Sequence, residues 1–118
     1  MSHHNKARSF GRKTDQKRAL MRGLLKNLIV HERISTTEAK AKELRPMIER
    51  LVTRARTDTV ANRRLVSSRL GNDDVVVKKL FGTIAPRYKE RAGGYTRIIK
   101  RPIKATTGRR EAYIAFVN

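Results

Sequence analysis

The chain has no cysteine and no tryptophan. Without thiols there is no disulfide, no thiolate nucleophile and no cysteine-based zinc site, a composition that suits a reducing compartment. Aromatic residues make up only 5% of the sequence. Apolar runs are short, as in Val75–Val77, far below the ~20 residues a membrane span needs. No apolar stretch follows the N-terminus, so no secretory leader is expected, and residues 1–13 lack the amphipathic face of a transit peptide. Neither G-x-x-x-x-G-K-[ST] nor G-x-G-x-x-G occurs, and no nucleophile stands near a base in the pattern catalysis requires. The sequence therefore predicts no enzyme, no cofactor and no small-molecule substrate. Acids are also scarce, with 10 Asp and Glu against 29 Lys and Arg.

What is present is positive charge. The 118 residues carry a net charge of +19 and a sequence pI of about 11.5. Like charges repel in a compact state, and a polyanionic partner removes that difficulty, with nucleic acid the first candidate. The excess is uneven. Residues 1–13 hold four basic residues and no acid, and residues 87–110 hold nine basic residues and one acid, Glu90. Acids and bases mix between these zones, as on an ordinary solvated face.

Hydrophobic content is 38%, low but grouped. Residues 1–13 read as a polar, basic arm with Phe10 as its one bulky anchor. Residues 14–118 read as one domain. Leu20, Met21, Leu24, Leu25, Leu28 and Ile29 recur at helical spacing and predict a helix over 14–32. The β-branched stretch 33–37 predicts a short strand. Ser35 with Glu38 matches a capping box, and Thr36 or Thr37 is an alternative cap for a second helix reaching about Arg56. Its apolar arc is Ala41, Leu44, Met47, Ile48, Leu51, Val52 and Ala55, with Pro46 on the opposite side. Asp58 or Thr59 caps a third helix through Leu70, ended by Gly71. A fourth spans about 73–84, capped by Asn72 or Asp73 and closed by Pro86, although Val75–Val77 also suits a strand. Residues 95–101 and 112–117 predict two strands. The fold class is α+β in two layers, α-β-α(3)-β(2), with helices packed on a small three-stranded sheet and a basic N-terminal arm.

Metal binding has little support. His3 has the spacing of an amino-terminal chelate only if Met1 is retained, and Asp73-Asp74 at a helix start is simply read as a dipole partner. His31 falls at the end of the first helix, where a cation complements the dipole.

The candidate RNA-binding residues form three groups and one further pair. The arm and its continuation supply Lys6, Arg8, Arg12, Lys13, Lys17 and Arg18. Arg18, Arg22 and Lys26 stand at i, i+4 and i+8, a basic rail that destabilises an isolated helix by ~0.2–0.5 kcal/mol per pair unless phosphates lie beside it. The third group runs Arg91, Gly93, Gly94, Tyr95 and Arg97, joining a turn free of side chains to an aromatic ring and two guanidiniums. Tyr95 either stacks on an unpaired base or packs on the helices. Lys100, Arg101 and Lys104 extend this group, and Arg63 and Arg64 complete the set.

The blocks Phe10–Arg22, Ile34–Arg45, Thr57–Leu65, Ile84–Tyr88 and above all Gly93-Gly-Tyr-Thr-Arg-Ile-Ile-Lys100 resemble, in order and spacing, the bacterial large-subunit ribosomal protein 17 family. The chain departs from the family pattern in residues 1–5 and between Arg101 and Glu111. The resemblance implies a structural constituent of the bacterial large ribosomal subunit, located in the cytoplasm within the ribosome. It implies contact with large-subunit ribosomal RNA and neighbouring large-subunit ribosomal proteins, with no membrane partner. It also implies the α-β-α(3)-β(2) fold. The alternative is a DNA-binding chromatin or regulatory protein that uses the second and third helices as a helix-turn-helix. A membrane-surface role would rest on the first helix alone.

Overall fold

A computed structural model describes the backbone of residues 2–102 and 110–118, with side chains from Thr14 onward in those ranges. Helix α1 (Ser2–His31) ends with His31 in its last turn. Its helical backbone begins at Ser2 and so includes residues 2–13, the basic arm of the sequence analysis. Met21, Leu25, Leu28 and Ile29 enter the core from this helix, whereas Leu20, placed on the apolar arc by its spacing, is 45% exposed. The chain leaves the helix through Glu32 at φ 65°, whose N–H returns to the Leu28 carbonyl at 2.7 Å. A left-handed residue at this point satisfies an orphan carbonyl and turns the chain into a strand.

Strand β1 (Arg33–Thr37) leads directly into α2 (Glu38–Ala55). Of the possible caps, Thr37 is the one used, its hydroxyl accepting from the Lys40 N–H at 3.3 Å. Ser35 remains in the strand, so the Ser35–Glu38 capping box does not form. Ala41, Leu44, Ile48, Leu51, Val52 and Ala55 are buried, Met47 is partly buried and Pro46 is exposed. This helix fills the centre of the core.

Helix α3 (Val60–Arg69) is capped by Thr59, which accepts from the Asn62 N–H at 3.1 Å, and stops before Gly71 at φ 68°. Helix α4 (Asp74–Lys79) is capped by Asp73. It is shorter than the predicted span. The chain continues into a π turn at Leu80–Ile84 and a 3₁₀ turn at Ala85–Tyr88, with Pro86 at the start of the latter rather than ending a helix. The wider turn carries Leu80, Phe81 and Ile84 into the core together. Val76 and Val77 are buried in helical backbone and Val75 is 74% exposed, so the strand alternative is not adopted.

Strands β2 (Thr96–Lys100) and β3 (Glu111–Phe116) complete an antiparallel three-stranded sheet in the order β1-β3-β2. The register places Ile34, Ile114 and Ile98 in one row. Ala112, Ile114 and Phe116 of the central strand are buried, and α2 packs against them. The alternate residues, Tyr113 and Ala115, face away from the core with Ser35 and Ile99 beside Tyr113, and Arg33 and Arg97 beside Ala115. The fold is α+β, with helices on one face of a small sheet as the sequence predicted.

Candidate nucleic-acid interface

The charge inventory decides which cations are available. Seven carboxylates engage nine of the described Lys and Arg side chains. Lys17 lies 3.0 Å from Glu43, both exposed. Lys26, the end of the predicted rail, is 3.0 Å from Asp73. That pairing holds the Asp73 carboxyl below the usual range, helped by the Val76 N–H. Asp73 is thus both a helix cap and a counter-ion, and Asp74 stands in the first turn of the same helix. Arg18 and Arg22 have no ion pair among the described residues and line a groove of about 440 Å³ with Leu25, Met47 and Arg69. The rail therefore divides into two free guanidiniums and one paired ammonium.

Adjacent arginines on α3 also differ. Arg63 grips Asp58 through two bonds, 2.5 and 2.9 Å, and its guanidinium sits 4.9 Å from the centre of the Phe81 ring. The Arg63 bond lowers the Asp58 pKa. Arg64 is exposed and has no ion pair among the described residues.

The Gly-Gly loop corrects one sequence expectation. Tyr95 is fully buried, so its ring has no face for a base, and the packing alternative holds. Its hydroxyl accepts from Arg56 Nη1 at 2.7 Å and lies 3.1 Å from Thr53 Oγ1, while its ring tilts against Tyr88 with centroids 5.2 Å apart. The loop itself is tied down from below. Arg56 Nη1 donates to the Arg91 carbonyl at 2.8 Å and Nη2 to the Lys89 carbonyl at 3.3 Å. Arg91 Nε donates to the Gly93 carbonyl at 3.1 Å, and Gly94 takes φ 64°. A half-buried Glu49–Thr96 contact anchors the next residue, with Thr96 Oγ1 donating to Glu49 Oε2 at 2.9 Å.

Beyond the loop, Arg97 points out from the sheet without an ion pair among the described residues. Lys100 lies 3.5 Å from Glu38 yet remains 67% exposed. Glu38 is held below its ordinary pKa chiefly by Lys42, with Lys100 contributing. Arg101 bonds Glu111 at 3.1 Å and Ser35 at 3.3 Å, and its guanidinium lies 5.1 Å from the Tyr113 ring centre. The side chains of Lys6, Arg8, Arg12 and Lys13, and all of Lys104, lie outside the described residues.

Sequence reasoning missed two features. Arg33 lies 4.0 Å over the Tyr113 ring, so the outer sheet face carries arginines from both edge strands around a central aromatic. Period-two alternation makes each residue outward-facing, but the strand order that gathers them is a long-range fact. The second is a groove of about 640 Å³ between α2 and the Gly-Gly loop, lined by Arg50, Arg54, Asn62 and Gly93, with Glu49 and Tyr95 also on its wall. Arg50 and Arg54 are four apart on one helix face, a signal present in the sequence.

Among the described residues no three His, Asp or Glu side chains gather as metal ligands, and no helix is long and apolar enough to cross a membrane. The arrangement is that of a small, strongly basic α+β scaffold protein whose charges stand on a rigid frame. Known proteins identify the scaffold. The ribosomal protein L17 family matches residues 20–117. The chain is 48% identical over 118 residues to the large ribosomal subunit protein bL17 of Sphingopyxis alaskensis, an alignment covering all of this chain and 84% of that protein. The chain belongs to the ribosomal protein L17 family, and it is a structural ribosomal protein rather than an enzyme.

Proposed function

We propose that the protein is a structural constituent of the bacterial large ribosomal subunit, cytoplasmic within that particle, and that it binds large-subunit ribosomal RNA beside neighbouring large-subunit proteins. The observation that carries this reading is the placement of unpaired guanidiniums. Arg18 and Arg22 on α1, Arg64 on α3 and Arg97 on the sheet are set on separate elements of one packed domain, without a carboxylate partner among the described residues. Such an arrangement suits several separated phosphate contacts, each adding counterion release to affinity. In sequence, residues 6–13 and the stretch between Arg101 and Glu111 add further basic residues. The mechanism is electrostatic, with the fold fixing the spacing of the cations.

A helix-turn-helix protein would gather its cations on the second helix of the motif. Here α3 has one arginine locked to Asp58 and packed on Phe81, which disfavours that use. Sedimentation of the tagged chain through a high-salt gradient separates the two readings. The protein is expected to travel with large ribosomal subunits. Recovery at the top of the gradient, or with DNA, would overturn the proposal.

A further inference from the structure

We infer that the groove between α2 and the Gly-Gly loop is a binding site for one unpaired RNA nucleotide, with its phosphate on Arg50 and Arg54 and its base against Gly93. The inference rests on the RNA-binding reading above and assigns a subsite to it. Pro46, Arg50 and Arg54 stand at i, i+4 and i+8 on α2, forming one wall of the groove. Ala92 and Gly93 form the other wall, and Asn62 from the first turn of α3 reaches its end. The volume of about 640 Å³ falls within the ~300–1,000 Å³ usual for small-ligand sites.

Three observations favour a nucleotide. Arg50 and Arg54 have no carboxylate or other hydrogen-bond partner among the described residues, although Glu49 also lines the groove. The Glu49 carboxylate is directed elsewhere, to Arg45 and to the hydroxyl and N–H of Thr96. Two guanidiniums left free beside an engaged carboxylate are positioned for an external anion. Gly93 has no positive φ, so its backbone does not require glycine, and a Cβ there would meet nothing within 4 Å. The absent side chain leaves the wall flat, as a planar base requires for close approach. Asn62 presents an amide, which can donate to and accept from a base edge, although its Nδ2 bonds the Thr57 carbonyl at 2.8 Å in the free protein. The Arg56 bonds to Arg91 and Lys89 keep the loop wall in place before any ligand arrives. A paired base within a helix cannot enter such a groove, so the site selects single-stranded or extruded nucleotides.

The test uses the full chain and two fluorescent probes, a single-stranded RNA of mixed sequence and a blunt RNA duplex of equal length. Gly93→Val places a branched side chain in the groove. It is expected to weaken single-strand binding about tenfold while leaving duplex binding and thermal unfolding near the parent values. Arg54→Gln should also weaken single-strand binding about tenfold, through loss of a charged hydrogen bond. Photocrosslinking with a 4-thiouridine single strand should place adducts on residues 46–62 or 89–95. Unchanged single-strand affinity in both variants, or adducts confined elsewhere, would overturn the subsite while leaving RNA binding intact. Normal RNA binding by Gly93→Val combined with its exclusion from large subunits would assign the groove to a neighbouring protein instead. If the parent chain binds neither probe, the RNA-binding reading itself fails.

Discussion

Arg56 holds Tyr95 by its hydroxyl, and with the same guanidinium holds the carbonyls of Lys89 and Arg91. One side chain at the end of α2 therefore fixes the approach to β2. Its Nε is buried without a partner, so the outer nitrogens carry the bonding. Lysine offers a point charge rather than a planar fork and cannot reproduce the three directed bonds. Arg56→Lys is expected to cost about 1–3 kcal/mol in denaturant unfolding and to speed amide exchange at residues 89–95. Tyr95→Phe should cost about 1–2 kcal/mol with RNA affinity little changed, because the ring is buried in either case. A large loss of RNA affinity without loss of stability would restore the base-stacking role that burial excludes.

Glu32 joins three elements through charge. It sits at a left-handed position after α1, and its carboxylate engages Arg87 in the 3₁₀ turn and Lys79 at the end of α4. Hydrogen bonding from Arg87 is the main cause that lowers its pKa from 4.5 to about 2; burial opposes this shift and Lys79 adds to it. A carboxyl with a depressed folded pKa contributes stability that is present above 4.5 and is lost as pH falls toward 2. Glu32→Gln should lower stability by about 1 kcal/mol near neutrality, a modest figure because water screens a partly exposed network. The gap between parent and variant should close as pH falls through that window. Thermal unfolding at a series of pH values reads it directly, and parallel curves down to pH about 2 would contradict the assignment.

Much of this architecture is local information. Strand β1 coincides with the β-branched stretch 33–37, and Thr59 and Gly71 mark the ends of α3 by cap chemistry alone. The α2 arc is legible because six buried positions repeat at helical spacing. What stayed hidden depends on partners distant in sequence. Leu20 has the right spacing yet stays 45% exposed. Lys26 is indistinguishable from a free cation until Asp73, 47 residues later, is placed beside it. Tyr95 shares a motif with two arginines but is drawn inward by Arg56, 39 residues earlier. The π turn after α4 has no signal in the spacing, because Leu80, Phe81 and Ile84 would also share one face of a continued α-helix.

Two glycines should respond oppositely to alanine. Gly23 lies within α1, and a Cβ there meets nothing within 4 Å. Gly23→Ala removes backbone freedom from the unfolded chain and should stabilise the protein by about 0.5–1 kcal/mol. Gly71 has φ 68°, and a Cβ there would lie 3.1 Å from Arg22 Cδ. Gly71→Ala should destabilise by about 1–2 kcal/mol, mostly from the left-handed backbone. Urea titration of both variants checks the sign of each change.

Arg63 and Arg64 are adjacent in sequence, and their roles can be separated by salt. Each phosphate contact by a cation adds about 0.9 to the slope of log affinity against log salt on a duplex and about 0.7 on a single strand. If ~6–10 phosphates are neutralised, affinity for free RNA should fall ~10³–10⁵-fold between 50 and 200 mM salt. Arg64 has no acid to occupy it among the described residues, so Arg64→Gln should reduce the slope by about one contact and leave unfolding unchanged. Arg63 is engaged by Asp58 and packed on Phe81, so Arg63→Gln should lower the unfolding temperature and leave the slope unchanged. The same contrast should appear on α1 between Arg18 and Lys26, because only Lys26 faces a carboxylate among the described residues. Equal slope changes in all four variants would show that ion pairing in the free protein does not decide which cations reach the RNA.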